Sequence, residues 1–295
     1  MGSQILQPRG EAPFDLYPYT PAAAPGWAFL VLFAIAGVTH FVMMIPLRSW
    51  YFVPFILGCA GEAGGYYGRA WSHENIRNGS PYLIQLMLIL ASAPLLSATI
   101  YMTLGRFIRG LEAEDKAVIR PSWTTKIYVI IDIGSFVCQM AGSAMQSSGD
   151  AAGAKLGNNI VIGGLAFQLA AFVGFVTMTM VVHVRLNRDP TVISRRPQIK
   201  WRRNMYNLYA VSLMVFVRSA FRLVEFTEGP DGTIHKREIF LYVFDAALMF
   251  GVTVAMAALH PGFLLRTIRK DKSNALVSDG NDSYLLQGQS FKQID

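Results

Sequence analysis

The chain has 295 residues, 53% of them apolar and only 15% charged, with a formal charge of +7. That balance belongs to the membrane class and excludes an ordinary soluble domain. The two cysteines, Cys59 and Cys138, both lie inside apolar segments, so no loop disulfide is expected.

Residues 1–25 carry five prolines and read as an irregular arm. They show no cationic start followed by an apolar core, so the first span is expected to act as its own insertion signal. Seven apolar segments follow, at about 26–46, 52–71, 82–105, 126–146, 158–184, 205–227 and 238–262. Each reaches the roughly 20 residues that a helix needs to cross about 30 Å of hydrocarbon. Period-two alternation is absent, which argues against a barrel. The expected fold is an all-α membrane protein, a seven-transmembrane-helix bundle over residues 26–265, followed by a polar, disordered tail over 266–295.

The loops after the first, third and fifth segments, with the tail, hold eighteen Lys and Arg, whereas the N-terminal arm and the remaining loops hold five. By the positive-inside rule the N-terminus is outside and the C-terminus cytosolic. This asymmetry accounts for the basic charge without nucleic acid and would draw the basic loops to anionic inner-leaflet lipid. Asn78-Gly79-Ser80 is a glycosylation sequon in a loop that this topology puts outside.

Within the second segment, residues 58–69 read GCAGEAGGYYGR. A charge at mid-bilayer costs about 2.5–3.5 kcal/mol on insertion scales, so Glu62 and Arg69 must face protein or water. At 100° per residue Glu62, Tyr66 and Arg69 share a stripe, and Gly61, Gly65 and Gly68 form the adjoining one. Such bare backbone lets another helix approach closely, within the chain or from a second copy in a homodimer.

The third segment holds Pro94 at mid-membrane, where a kink is expected. The fourth aligns Asp132, Ser135 and Gln139, the fifth carries Gln168, and the sixth aligns Arg218, Arg222 and Glu225 on one face. Asp245 lies near the outer end of the seventh, and His260-Pro261-Gly262 at its inner end. Counted from the cytosolic ends, Asp132 lies at about 9 Å, Glu62 at about 15 Å, Arg218 at about 20 Å, Asp245 at about 22 Å, and Arg69 and Arg222 at about 25 Å. Arg218 is therefore expected to pair with Glu62 or Asp245, and Arg222 to form an outer cluster with Glu225 and Arg69. A shared polar interior lined by Glu62, Asp132, Gln139, Arg218 and Asp245 is the candidate ligand site. His40, His183 and His260 lie at scattered depths and suggest no metal site. No catalytic motif or cofactor-binding motif is legible, and no enzyme is expected.

The motifs GEAGGYYGR, QLMLILASAPLLSATIY, DIGSFVCQMAG, FRLVEF with the preceding Arg218, and HPGF, in that order over about residues 14–265, resemble the fungal RTA-like family of lipid-translocating exporters. The resemblance implies a plasma-membrane protein that binds or moves amphipathic lipids, among them sphingoid long-chain bases and sterol-like or porphyrin-like amphiphiles, and confers resistance to toxic ones. It supplies no established site residues. The rival reading is a seven-helix receptor-like lipid sensor, or a regulator without transport of its own. Against a receptor stand LGRFIRG at the end of the third segment, HPGFLL at the end of the seventh, and the lack of an extracellular cysteine pair.

Overall fold

The computed structural model describes residues 17, 19–74, 76–146, 151–229, 232–234 and 236–274. In these the apolar segments are helices: α1 (Ala23–Leu47), α2 (Val53–Trp71), α3 (Gly79–Gly110), α4 (Pro121–Gln146), α5 (Ala151–Arg188) and α6 (Trp201–Glu228). The seventh, α7, consists of Glu238–Leu241, a π-helical turn Tyr242–Ala246, and Ala247–Ala258. After a break at His260 the chain is helical again over 261–274, here α8. Among the described residues six helices are long and apolar enough to cross a membrane, and α2 falls short in apolar content because of its glycines and charges. The chain is thus a multi-pass membrane protein, all-helical among the described residues.

Exposure follows from the solvent these helices are built for. On α1 the side chains of Trp27, Val31, Ile35, Val38, Val42 and Ile45 recur at helical spacing and all point outward. A continuous apolar stripe of this kind is a liability in water and ordinary against lipid tails.

Packing is closest where side chains are smallest. A Cβ at Gly61 would fall 2.4 Å from Ser92 Oγ, one at Gly65 2.4 Å from Ile89 Cγ1, and one at Gly68 2.8 Å from the Pro81 carbonyl oxygen. The glycine stripe of α2 is therefore covered by α3 of the same chain. A homodimer through that stripe has no free surface to use.

Both ends of the bundle are tied across helices. Residues 19–22, from the arm expected to be irregular, form a strap. The Ala22 N–H donates to both carboxylate oxygens of Glu238, at 3.0 and 3.1 Å. Just before the strap, the Tyr17 hydroxyl bonds Ser72 Oγ at 3.0 Å and donates to Gln85 Oε1 at 2.8 Å. Asn78, the residue of the sequon, caps α3 by accepting the Ser80 N–H at 3.1 Å. At the opposite end His260 Nδ1 accepts the Gly262 N–H at 3.0 Å and so caps the start of α8. Arg196 and Gln198 bond Asp271, and Lys272 Nζ donates to Glu112 Oε1 at 2.6 Å. Ordered helix thus runs beyond residue 265, where a disordered tail was expected to begin; residues 275–295 lie outside the described part.

Candidate functional site

Three elements bring charge to one point inside the bundle. α2 contributes Glu62 and Tyr66, both fully buried. α6 contributes Arg218 and Arg222, one helical turn apart. α7 contributes Asp245, which sits in the π-helical turn Tyr242–Ala246 and is also fully buried. Such turns insert an extra residue into the helix, re-aim the side chains around it, and recur at functional sites.

Arg218 Nε donates to Asp245 Oδ1, and Arg222 Nη1 donates to Glu225 Oε2 at 2.9 Å. Glu62 lies within electrostatic range of Asp245, Arg218 and Arg222. The pairing expected of Arg218 is thus realised with Asp245, with Glu62 alongside.

What remains unpaired here is as informative as the bonds. Both Glu62 carboxylate oxygens, the Tyr66 hydroxyl, Asp245 Oδ2, Arg218 Nη2 and Arg222 Nε are buried with no hydrogen-bond partner. Native interiors satisfy nearly all such groups, because an orphaned one costs about 1–3 kcal/mol, and more when charged. Beside them is a cavity lined by Pro94, Ser97, Gln139, Gln168, Arg218 and Arg222 among others, with about 20 Å³ open to a water's centre. That volume admits a water or two, not an acyl chain.

Asp132 belongs to a neighbouring cluster. Gln168 Nε2 donates to Asp132 Oδ1 at 3.0 Å, Gln139 Nε2 donates to Gln168 Oε1 at 3.3 Å, and Tyr101 lies within reach of Asp132. α4 packs chiefly on α5 and α3, which turns Asp132 away from α2 and α7. Depth along the bilayer sets height and leaves azimuth open, so the single polar interior divides in two. Gln139 and Gln168 still connect the halves, since both line the cavity that Arg218 and Arg222 reach. Gln168, the main polar residue of its span, was not among the expected site residues.

Arg69 also departs from expectation, because it does not join Arg222 and Glu225. Its Nη2 donates to Glu238 Oε1 at 2.8 Å and to the Tyr19 hydroxyl at 2.9 Å, and its Nε donates to the Tyr242 hydroxyl at 3.0 Å. Its guanidinium also lies 5.3 Å from the centre of the Tyr242 ring and 5.7 Å from that of Tyr19. Arg69 therefore anchors the strap and α7 to α2. Glu238, which opens the seventh segment, and Tyr242 are not among the expected site residues, and Tyr19 sits in an arm with no periodicity to mark it.

Comparisons with known proteins bear on this arrangement. Residues 55–268 match the family model described as RTA1 like protein. The chain is 31% identical to Protein RTA1 of Saccharomyces cerevisiae, over 91% of this chain and 93% of that protein. It is 32% identical to Protoporphyrin uptake protein 1 of the same organism, over 83% of this chain and 91% of that one. It is 25% identical to a Saccharomyces cerevisiae Sphingoid long-chain base transporter RSB1, over 80% and 71%. No solved structure matches the chain.

Proposed function

The chain belongs to the RTA1-like family, and on that premise we propose that it is a seven-span plasma-membrane protein that moves an amphipathic lipid, holding the headgroup among Glu62, Arg218, Arg222 and Asp245. In this reading α2 is the seventh span. At about 1.5 Å per residue its 19 residues cover most of the hydrocarbon thickness, and its polar stripe is shielded by neighbouring helices. The distribution of Lys and Arg supports an outside N-terminus, which assigns the strap to the outer face and α8 to the cytosolic one.

The observation that carries the proposal is the orphaned Glu62 carboxylate beside the Arg218–Asp245 pair. Arg218 is taken by Asp245 and Arg222 by Glu225, so neither guanidinium bonds Glu62, whose two oxygens are left without a donor. A protonated amine supplies both the charge and the donors that Glu62 needs, which favours a sphingoid base or a similar amino-lipid. Arg218 Nη2 and Arg222 Nε remain to bind a hydroxyl, phosphate or carboxylate on the same headgroup. Asp132 and Gln139, with Gln168, extend the polar path on the far side of the cavity, and Tyr66 supplies a hydroxyl from α2. Arg69 contributes indirectly by holding the strap.

Because the cavity admits only water, loading requires α2, α6 and α7 to separate. The π-helical turn in α7 and Pro94 in α3 interrupt regular helical bonding beside the site, and these are the places where such separation costs least. Net movement then follows a lipid gradient or couples to protons at one of the buried acids.

The test is reconstitution of the purified full chain in liposomes with a fluorescent long-chain base and a fluorescent phosphatidylcholine. The base should cross at least about tenfold faster than in protein-free liposomes, and Glu62→Gln should return it to background. Equal crossing by wild type and Glu62→Gln would remove the site assignment. No crossing, together with guanine-nucleotide exchange on a partner protein, would favour the receptor-like reading.

A further inference from the structure

A second concavity lies at the opposite end of the bundle from the strap, where the end of α1 meets α8. Its wall is Pro46, Leu47, Arg48, Arg266, Arg269 and Lys270, and about 480 Å³ of it is open to a water's centre. That is ample for a small charged group. Four of the six lining residues are cations, and no carboxylate contributes. Asp271, the next residue on α8, is engaged by Arg196 and Gln198. Among the described residues Arg48, Arg266 and Lys270 have no acidic partner. Like charges gathered this way repel unless an anion sits between them.

The wall is built rather than incidental. Arg269 Nη2 donates to the Leu47 carbonyl at 2.8 Å, which fixes α8 against the end of α1. Gly262 allows this approach, since a Cβ there would lie 3.0 Å from Leu47 Cβ. Arg48 holds φ at 50°, a left-handed conformation uncommon outside glycine, with its N–H bonded to the Ile45 carbonyl at 3.1 Å. The backbone thus presents Arg48 across the hollow from Arg266 and Lys270.

Apolar surface adjoins the cations. Val42, Ile45, Trp50 and Phe263 are all exposed around the same junction. Trp50 is the residue type that anchors at the level of lipid headgroups. A free phosphate would have no use for these side chains, whereas a phospholipid would lay its acyl chains along α1 and its headgroup among the arginines.

We propose that this hollow binds the phosphorylated headgroup of an anionic phospholipid, one bearing phosphomonoesters, since four cations exceed what a single phosphodiester neutralises. Guanidiniums favour such groups because their paired N–H donors match phosphate oxygens. The assignment to the inner leaflet rests on the orientation given above, while the site itself is independent of any transport.

The experiment uses the purified full chain in nanodiscs of phosphatidylcholine doped with phosphatidylinositol 4,5-bisphosphate or with phosphatidylserine, reading lipid retained after detergent extraction by native mass spectrometry. Wild type should retain the bisphosphate lipid about tenfold over the serine lipid, and Arg266→Glu with Lys270→Glu should abolish that preference at an unchanged melting temperature. Should that double variant fail to fold, Arg48→Glu, on the other wall, makes the same test. Retention by the variants equal to wild type overturns the proposal. Equal retention of the two lipids, or binding of soluble inositol 1,4,5-trisphosphate as tight as that of the lipid, overturns it too. Since transport is not measured, this result stands apart from the outcome of the liposome assay.

Discussion

Arg218 on α6 and Asp245 in the π-helical turn of α7 form a buried ion pair, and the orphaned Glu62 carboxylate lies close enough to feel both charges. α6 and α7 also meet through the stacked Phe221 and Phe244 rings and the bond from Asn207 Nδ2 to the Ala255 carbonyl, so removing either ion-pair partner should weaken their contact without parting them. Arg218→Met and Asp245→Asn should each cost about 3–5 kcal/mol, the usual penalty for leaving a buried charge or its partner unpaired. Arg218→Met combined with Asp245→Asn should cost less than the sum of the two, because neither charge is then stranded. Equilibrium unfolding in mixed micelles measures all three, and strict additivity would show that the pair is not coupled.

Glu62 should behave in the opposite way. Its carboxylate has no donor to lose, so Glu62→Gln relieves a burial cost and leaves unfolding stability unchanged or raised. Lipid movement should nonetheless fall to background. A loss of stability of the size expected for Asp245→Asn would mean that Glu62 is a structural anchor, and the reading of Glu62 as a carboxylate left without a donor would fail.

The contrast between these residues shows what periodicity can and cannot disclose. Helical spacing places Arg218, Arg222 and Glu225 on one stripe, and depth matches Arg218 to Glu62 or Asp245, because both follow from a rise and a rotation per residue. Neither quantity says which neighbour a stripe faces, and so Asp132 was grouped with Glu62 although α4 turns it toward Gln168. The π-helical turn at Asp245 breaks the very periodicity by which a sequence is read. The strap was hidden for a different reason, since Tyr17 and Tyr19 gain their meaning only from Arg69, Ser72, Gln85 and Glu238 far along the chain. α8 is polar enough to pass for tail, and its order comes from contacts with loops distant in sequence.

The glycines of α2 offer a graded test of packing. Gly65→Ala drives a methyl into Ile89, which is itself buried, and should cost about 1–3 kcal/mol. Gly134 on α4 has no atom within 4 Å of where its Cβ would fall, so Gly134→Ala should be neutral or stabilise by up to about 1 kcal/mol through helix propensity. Thermal unfolding of the two variants compares them directly. Equal effects would mean that α3 does not lie against the glycine stripe.

The anchorage of the arm at Tyr17 can be followed by titration. Burial pushes the Tyr17 hydroxyl up to about 12, against the lowering influence of its hydrogen bond to Ser72 and of nearby Arg69. A phenol whose folded value is raised is stabilised in its neutral form. The contact is therefore fully held below the ordinary tyrosine value of about 10 and is lost as the pH climbs through about 12. Subtracting the tyrosinate absorbance of Tyr17→Phe from that of wild type isolates this one group. The difference should titrate near the raised value. Arg69→Ala removes a nearby guanidinium that holds the value down, so in that background the same difference should move further up while Tyr17 stays sealed against Ser72 and Gln85. A wild-type difference that already titrates near 10 would mean that Tyr17 stands open to water, with no seal formed against Ser72 and Gln85.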